Sequence, residues 1–252
     1  MKGERDRLRR TRAVGVVVPV HNEQELLGSA LVALEGSLAL LTDSRLVCGV
    51  AIVLDSCDDA SYHVAEEWRR DMRRRWPVMS ILVIECQSRN VGIARALGCA
   101  ALLKHWTSID ATQIWLATTD ADSQVPATWL STQVRAHEAG ADLWTGRVTV
   151  NDWNTYDPQT RKRWIMTYEA EEYPIHGTSM GFNALRYLEA GGFPHLSTGE
   201  DREMCVLLAE CGARSVHDAS IRVLTSARRS ARAPLGFSHA LDMIDMAWES
   251  HG

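Results

Sequence analysis

Two carboxylates separated by one residue stand in the middle of the chain. Asp120 and Asp122 flank Ala121, shortly after the apolar run 114–117, which reads I-W-L-A. A continuous apolar run of this kind is typical of a strand buried on both faces. Open α/β sheets bind ligands at the carboxyl ends of their strands, and Mg²⁺ takes one or two carboxylates together with water and phosphate oxygens. The pattern predicts a divalent-cation site, and a polar turn is the alternative.

Two further polar clusters follow apolar runs earlier in the chain. His21-Asn22-Glu23 comes after the run 14–20, and a segment from Asp55 to Asp59 comes after the run 50–54. The carboxyl ends of parallel strands lie along one edge of a sheet, so we expect all three clusters to meet there. Asp55 suits hydrogen bonds from a base or ribose. Asp58 and Asp59 are typical of the N-terminal cap of the next helix.

The elements that must position these side chains alternate. Strand-like and helix-like segments follow one another five times, with the strands predicted at residues 14–20, 50–54, 81–84, 113–117 and 142–150. That order predicts βαβ units in a mostly parallel sheet with right-handed crossovers. From residue 153 this alternation ends. The sequence then predicts a polar, aromatic helix over 162–173, shorter helices, a late strand at 221–224 and a final amphipathic helix. We therefore expect a basic tail at 1–13 and one domain at 14–252, with a nucleotide-binding half (14–150) and an acceptor-binding half (151–252).

Composition excludes several classes of function. The net charge of -5, from 27 Lys and Arg against 32 Asp and Glu, argues against a nucleic-acid binder that relies on bulk charge. No apolar run approaches the roughly 20 residues that span a bilayer. The basic N-terminal segment lacks the apolar core of a signal peptide, and a peripheral contact with an anionic membrane is the alternative to a solvated tail. Six scattered cysteines without a C-x-x-C pair are expected to be reduced, so we expect a cytoplasmic protein.

Five short motifs occur in the order typical of one enzyme family. They are V-P-V-H-N-E at 18–23, V-L-D-S-C-D-D at 53–59, R-N-V-G at 89–92 with Arg95, D-A-D at 120–122 and G-E-D at 199–201. Across residues 14–205 the chain resembles family 2 glycosyltransferases, which are inverting enzymes with the α/β GT-A fold. The resemblance implies a UDP- or GDP-linked sugar donor, Mn²⁺ or Mg²⁺, and an acceptor that the motifs leave open.

The resemblance also implies roles for individual residues. Asp55 would contact the base, Asp120 the ribose or metal, and Asp122 the metal that bridges to the diphosphate. Asp201 would be the catalytic base, with Glu200 as the second candidate. The remaining positions that the resemblance places at the donor are Pro19, Asn22, Glu23, Arg89, Arg95 and Ala121, and those that it places at the acceptor pocket are His176 and Gly177.

Simple chemistry supports these roles, and each has a structural alternative. A departing nucleoside diphosphate develops negative charge that a cation stabilises, and an attacking hydroxyl needs a carboxylate to take its proton. Asp201 stands near a predicted helix start, where any carboxylate is also favourable. Arg95 suits the diphosphate, or is an exposed helix residue. Arg228 and Arg229, close to Arg232, suit a phosphate clamp, or form a solvated basic loop.

The chain departs from the family pattern at two points. Many relatives place a metal-binding His after the late strand, where this chain has Thr225-Ser226, and His217 comes earlier. The chain lacks the transmembrane helices and Q-x-x-R-W motif of processive members, so a soluble, single-transfer enzyme is expected.

Two other functions are alternatives to a glycosyltransferase. A sugar-phosphate nucleotidylyltransferase would carry a Gly-rich loop and a Lys after the first strand, which are absent. A non-catalytic nucleotide-sugar-binding relative is the other alternative.

Overall fold

The elements follow the predicted alternation. The structure, a computed structural model, describes residues 10–41, 46–150, 153 and 156–226. Its first half contains β1 (Ala13–Val20), α1 (Leu27–Ala39), β2 (Val47–Asp55), α2 (Ser61–Arg75), β3 (Ser80–Cys86), α3 (Val91–His105), β4 (Ile114–Thr118), α4 (Trp129–Glu138) and β5 (Leu143–Val150). Its second half contains α5 (Pro158–Ala170), β6 (Met180–Asn183), α6 (Ala184–Glu189), α7 (Glu200–Glu210) and β7 (Ser215–Thr225). Single 3₁₀ turns lie at Ala111–Gln113 and Gly177–Ser179.

The strands form one seven-stranded sheet in the order β3-β2-β1-β4-β6-β5-β7. The pairs β1–β2, β1–β4, β2–β3 and β5–β7 are parallel, whereas β6 runs antiparallel to both β4 and β5. The predicted α/β class with a mostly parallel sheet is therefore confirmed. The central strands carry their polar loops to the same edge, because β1, β2 and β4 all run in one direction.

Helices cover both faces of the sheet, which explains why the strands are apolar without alternation. In β1, Val16 and Val18 point into one core cluster, and Val17 points into the other. Leu31 of α1 lies in the first cluster, and Leu102 of α3 lies in the second. All five side chains are fully buried or nearly so. The central strands are thus covered on both faces, whereas the outer strands β3 and β7 are only partly buried.

Several boundaries differ from the sequence prediction. Strand β6 was not predicted, because it has only four residues and contains Gly181, a weak strand former. Helix α5 begins at Pro158, where the Asp157 side chain accepts a hydrogen bond from the Gln159 amide, rather than at residue 162. Strand β7 begins at Ser215, six residues before the predicted start at 221. Arg228, Arg229, Arg232 and the predicted final helix lie outside the described residues.

Two expectations from composition also have an outcome. All six cysteines are free thiols, as predicted. Among the residues that the structure describes, no helix has both the length and the apolar character needed to cross a membrane.

Candidate active site

The loops after β1 and β2 interlock at the carboxyl edge of the sheet. His21 Nδ1 lies 2.7 Å from the Asp55 carbonyl oxygen, and Asn22 Oδ1 accepts a hydrogen bond of 2.9 Å from the Asp58 amide. The Glu23 amide donates to Ser61 Oγ at 2.7 Å. The first two polar clusters of the sequence therefore meet, as expected.

The sequence predicted Asp58 or Asp59 as the N-cap of α2, but the N-cap is Ala60, which makes no side-chain cap hydrogen bond. Asp59 stands just before the Ala60 N-cap of α2, and its carboxylate accepts from the amides of Ser61 and Gln24 at 2.9 Å each. Asp58 instead donates its amide to Asn22. The acidic run after β2 thus serves to join two loops, and only its first residue, Asp55, lies deep in the edge.

Each of the three loops after β1, β2 and β3 contains one non-glycine residue in the left-handed backbone region. The φ angles are +55° at Asn22, +56° at Ser56 and +46° at Arg89. Asparagine tolerates this region, but serine and arginine rarely adopt it. Strained backbone of this kind persists where surrounding contacts fix it, and it concentrates at functional sites. The strained backbone therefore indicates the edge formed by these loops as the candidate site.

Asp55 is the centre of that network. Its carboxylate accepts from the amides of Ser88, Arg89 and Asn90 at 2.7–2.8 Å and from the hydroxyls of Ser88 (2.6 Å) and Ser56 (3.0 Å). Burial acts to raise the pKa of Asp55, but these hydrogen bonds lower it to about 2. A carboxylate offers roughly four lone-pair sites. Asp55 therefore shapes the loop 88–90, and its contact with the base stays a prediction.

The loop 88–90 continues into a contact with the second half of the chain. Asn90 Nδ2 donates to the His195 carbonyl oxygen at 3.1 Å, and the Gly92 amide donates to the Leu196 carbonyl oxygen at 3.1 Å. A Cβ atom on Gly92 would lie 2.1 Å from the Pro194 carbonyl oxygen. The glycine of the R-N-V-G motif is thus required for the approach of these two loops.

The D-A-D segment lies beside the end of the last strand. Ala121 is buried, and the Ser123 hydroxyl is 3.1 Å from Asp122 Oδ1 and 3.0 Å from Thr225 Oγ1. Thr225 is therefore the β7 residue next to Asp122. His217 lies near the other end of β7, where its Nδ1 is 3.0 Å from Thr145 Oγ1. The departure from the family pattern at Thr225-Ser226 therefore stands, since His217 lies away from Asp122.

Arg95 connects the D-A-D segment to α7. Its NH2 group donates to Asp120 Oδ1 at 2.7 Å, and its NH1 group donates to Glu200 Oε1. Only 3% of the Arg95 side chain is exposed. The alternative that Arg95 is an exposed helix residue is therefore wrong. Its contact with the diphosphate stays a prediction, because both terminal nitrogens contact carboxylates in this structure.

The two candidate bases occupy the first turn of α7 in different surroundings. Glu200 is buried against Arg95, with 6% of its side chain exposed. Asp201 is partly exposed, and its Oδ2 accepts a hydrogen bond of 2.8 Å from the Gly177 amide. Gly199, the N-cap, has φ +78°, a conformation that glycine adopts without strain. Of the two carboxylates, Asp201 is the one that an acceptor can reach.

The predicted acceptor residues lie next to Asp201. The His176 ring contacts the Tyr168 ring, with the centroids 5.5 Å apart. Burial lowers the pKa of His176 to about 4, although the Asp201 carboxylate acts in the opposite direction. His176 is therefore neutral at pH 7. Gly177 places its backbone between Asp201 and Arg95, since an added Cβ atom would lie 2.4 Å from the guanidinium.

Comparison with known proteins identifies the family. The model of glycosyl transferase family 2 matches residues 15–199. The chain belongs to this family. No curated protein sequence matches the chain.

Solved structures with the same fold have low sequence identity to this chain. S. aureus TarS (residues 1–349) has 14% identity and a TM-score of 0.60 over 85% of this chain and 60% of that chain. The mannosyltransferase PcManGT from Pyrobaculum calidifontis has 18% identity and a TM-score of 0.59 over 93% and 61%. Glucosyl-3-phosphoglycerate synthase from M. tuberculosis has 13% identity and a TM-score of 0.52 over 98% and 81%. These similarities confirm the GT-A fold, and this chain spans about 60% of the length of the first two.

The charge of this family 2 site is concentrated around Asp120. Burial raises the pKa of Asp120, the Arg95 guanidinium opposes that shift, and the nearby carboxylates of Asp201 and Glu23 raise the pKa further. Carboxylates from the loop after β1, from the D-A-D segment and from α7 thus influence one another. A cation at this edge would relieve their repulsion.

The two carboxylates of the D-A-D segment would be the protein ligands of a divalent cation at this edge. In the described ranges, no group of three or more His, Cys, Asp or Glu side chains is arranged around one metal position. The expectation that Asp122 and Asp120 hold a metal therefore stays a prediction. Mg²⁺ commonly takes one or two carboxylates and completes its shell with phosphate oxygens and water. The chemistry of the site matches that preference.

Threonines that were not predicted from the sequence join the two halves of the site. Thr118 Oγ1 donates to the Gly177 carbonyl oxygen, and Thr119 Oγ1 lies 3.3 Å from Thr178 Oγ1. The Asp120 amide donates to Thr178 Oγ1 at 3.2 Å. Two threonines directly before D-A-D were visible in the sequence, but nothing there indicated which loop they contact. Pro19 lies in β1 opposite Val53, at the start of the same edge.

Proposed function

We propose that the chain transfers a sugar from a nucleoside-diphosphate sugar to an acceptor hydroxyl, with inversion and with dependence on Mn²⁺ or Mg²⁺. Membership of glycosyl transferase family 2 supports transfer of a glycosyl group. The structure of PcManGT holds GDP-Man and Mn²⁺, and one structure of the M. tuberculosis synthase holds Mg²⁺ and UDP. These complexes support a nucleotide-sugar donor with a divalent metal.

One observation carries the assignment of roles. Asp201 comes from the second half of the chain, yet its carboxylate accepts the Gly177 amide at 2.8 Å, and the Gly177 carbonyl oxygen accepts the Thr118 hydroxyl just before D-A-D. The partly exposed Asp201 carboxylate is thus held next to Asp120 and Asp122, the two aspartates that suit a metal bound to the donor's diphosphate. We assign Asp122, with Asp120, to the metal and Asp201 to the base.

The proposed step is a single displacement. As the acceptor oxygen bonds to the anomeric carbon, the bond from that carbon to the phosphate oxygen breaks, and its electron pair leaves with the nucleoside diphosphate. Asp201 takes the hydroxyl proton. Asp122, with Asp120, would hold a divalent cation, whose charge would stabilise the negative charge that develops on the departing diphosphate. Attack from the face opposite the leaving group inverts the anomeric centre, and no carboxylate needs to form a covalent intermediate.

The surroundings of Asp201 suit this role better than those of Glu200. Asp201 accepts from the Gly177 amide at Oδ2 and from the Arg202 amide at Oδ1, at 2.8 Å each, so each oxygen retains a further lone pair for the hydroxyl proton. Glu200 is buried and bound to Arg95. Its carboxylate would have to break an ion pair before it could act as a base.

We propose that the donor and the acceptor bind on opposite sides of the site, the donor at Asp122 and the acceptor at Asp201. Residues 14–150 supply the loops around Asp55 and Asp122 that we assign to the donor, and residues 151–252 supply His176 and Gly177 that we assign to the acceptor. Neutral His176 offers the acceptor a hydrogen-bonding group without adding charge beside Asp201.

The test measures nucleoside diphosphate release by the full chain from UDP-glucose, UDP-N-acetylglucosamine and GDP-mannose, with Mn²⁺ or with EDTA. We expect release from at least one donor, with EDTA, Asp122→Asn or Asp201→Asn lowering it at least 100-fold. Asp71→Asn, at an exposed ion pair on α2, is the control that keeps activity.

Other outcomes distinguish the competing functions. Stabilisation by nucleotide and metal without release from any donor would indicate a binding protein. Pyrophosphate release from UTP or GTP with a sugar 1-phosphate would indicate a nucleotidylyltransferase. Release that is independent of both metal and Asp201 would contradict the proposal.

A further inference from the structure

We infer that Arg95 is a positioning residue that fixes the base Asp201 relative to the metal-binding carboxylates. The inference rests on the proposed function. The guanidinium is buried where four separate segments meet, and each segment contributes one residue: Asp120, Gly177, Phe193 and Glu200.

The first connection runs to the donor side. Arg95 NH2 donates to Asp120 Oδ1 at 2.7 Å, and the Asp120 amide donates to Thr178 Oγ1 at 3.2 Å. Asp120 is therefore held through both its side chain and its backbone. Without Arg95, the amide bond to Thr178 would still hold the segment that carries Asp122, so the Arg95 contact serves to set α7 relative to that segment.

The second connection runs to the acceptor side and reaches Asp201 by two routes. Arg95 NH1 donates to Glu200, the first residue of α7, and Asp201 is the next residue. Gly177 lies against the guanidinium with no space for a Cβ atom, and its amide donates to Asp201 Oδ2. Moving or removing the guanidinium would therefore release both the start of α7 and the backbone that holds the Asp201 carboxylate.

The chemistry of arginine suits this position. A guanidinium is planar and permanently charged, and its donors can bind two carboxylates in different directions at once, whereas an ammonium acts as a point charge. Both terminal nitrogens of Arg95 contact carboxylates in this structure, one on the D-A-D segment and one on α7. Glu200 is accordingly assigned as the anchor of α7, and Asp201 alone as the base.

The decisive variant replaces the buried pair by apolar residues. Arg95→Met alone leaves a buried glutamate without its partner, and we expect it to fold poorly. Arg95→Met with Glu200→Met fills the same space without charge, which is often neutral for stability. For this double variant we expect a Tm within about 5 °C of the wild type and binding of UDP or GDP with Mn²⁺ within about 3-fold. We expect kcat to fall about 100-fold, because a small displacement of a catalytic group has that effect.

Two further variants complete the test, one at Glu200 and one control at an ion pair away from the site. Glu200→Gln keeps an oxygen that accepts from Arg95, and we expect it to retain kcat within about 10-fold, unlike Asp201→Asn. Arg186→Gln with Glu189→Gln removes an ion pair on α6 that is about 33% and 42% exposed, and we expect wild-type kcat.

Three results would overturn the inference. Wild-type kcat in the double variant would mean that Arg95 serves folding only. Loss of UDP and GDP binding at unchanged kcat would make Arg95 a donor ligand. If Glu200→Gln, rather than Asp201→Asn, abolished kcat, Glu200 would be the base.

A structural measurement separates this inference from the proposed function. If the wild-type protein releases no nucleoside diphosphate, the proposed function fails, and the inference is judged on a crystal structure of the double variant. We expect the Asp201 Oδ2 to Gly177 N distance, 2.8 Å in the native chain, to exceed 3.5 Å there. A distance that stays at 2.8 Å would overturn the inference.

Discussion

Gly177 lies against Arg95 so closely that a methyl group on it would be 2.4 Å from the guanidinium nitrogens. The Gly177 amide also binds Asp201. Gly177, which has no side chain, thus separates the buried Arg95 guanidinium from the candidate base Asp201. The contact makes the position of the guanidinium and that of the carboxylate dependent on each other.

Gly177→Ala is expected to lower both stability and turnover. The added methyl group overlaps a buried side chain, and overpacking of this kind costs about 1–3 kcal/mol of unfolding free energy. Urea denaturation and kcat measure the two effects. Gly36→Ala, in α1 with no atom near the added Cβ, is the matched control and should gain about 0.5–1 kcal/mol. Equal stabilities of Gly177→Ala and wild type would contradict the close approach.

Gly92→Ala is expected to separate the loop 88–90 from the segment 194–196. The clash is with the backbone oxygen of Pro194, which cannot rotate away as a side chain can, so we expect a loss of about 2–4 kcal/mol. In a hydrogen-exchange measurement, the backbone amides around Gly92 and those of residues 194–196 should both exchange faster than in the wild type. Gly28→Ala, where the nearest atom is 3.9 Å away, should leave both regions unchanged. Faster exchange in only one of the two segments would show that they are not coupled.

Asp55→Asn is expected to weaken the acid dependence of stability. The pKa of Asp55 falls from 3.8 to about 2 on folding. A depressed carboxyl pKa stabilises the fold above pH 4, and the contribution is lost as the pH falls from about 4 to about 2. The difference in unfolding free energy between wild type and variant should be at least about 2 kcal/mol at pH 6 and smaller at pH 3. Urea midpoints at both values measure it, and a difference independent of pH would exclude the ionised carboxylate as the cause.

His176 is expected to make the protein less stable in mild acid. Its pKa falls from 6.5 to about 4 on folding, because burial disfavours the charged ring, while Asp201 opposes and Arg202, Arg147 and His217 support the shift. The neutral ring stabilises the fold above pH 6.5, and that contribution is lost as the pH falls towards 4. His176→Gln should therefore lose less stability than the wild type between pH 7 and pH 5. A His176 ring proton that titrates near pH 6.5 by NMR would disprove this.

Nucleotide and metal together are expected to stabilise the chain more than either alone. UDP or GDP at about 100 times its Kd should add about 2.7 kcal/mol through mass action, visible as a higher Tm. Asp122→Asn should remove the part of this shift that needs Mn²⁺. A shift that is the same with Mn²⁺ and with EDTA would argue against a metal at Asp122.

The sequence predicted the elements far better than the contacts between them. Valine-rich β1 and apolar β4 were recognisable because strands covered on both faces carry apolar residues throughout. The four-residue β6 was missed, since its pairing partners β4 and β5 determine it rather than its own composition. Motifs placed Asp122 and Asp201 in one site, but no local pattern indicated that Arg95 would be buried between Asp120 and Glu200. Such an ion pair depends on tertiary contacts between residues far apart in the chain.

The docking of the loop 88–90 on residues 194–196 has a consequence for protein engineering. A chimera that receives the R-N-V-G loop of another glycosyltransferase, in order to change the donor, would also receive a surface made for a different partner loop. The hydrogen bonds from Asn90 and Gly92 end on the backbone carbonyl oxygens of His195 and Leu196, so this part of the fit depends on the path of that backbone. Grafts at this position should therefore exchange the two loops as a pair.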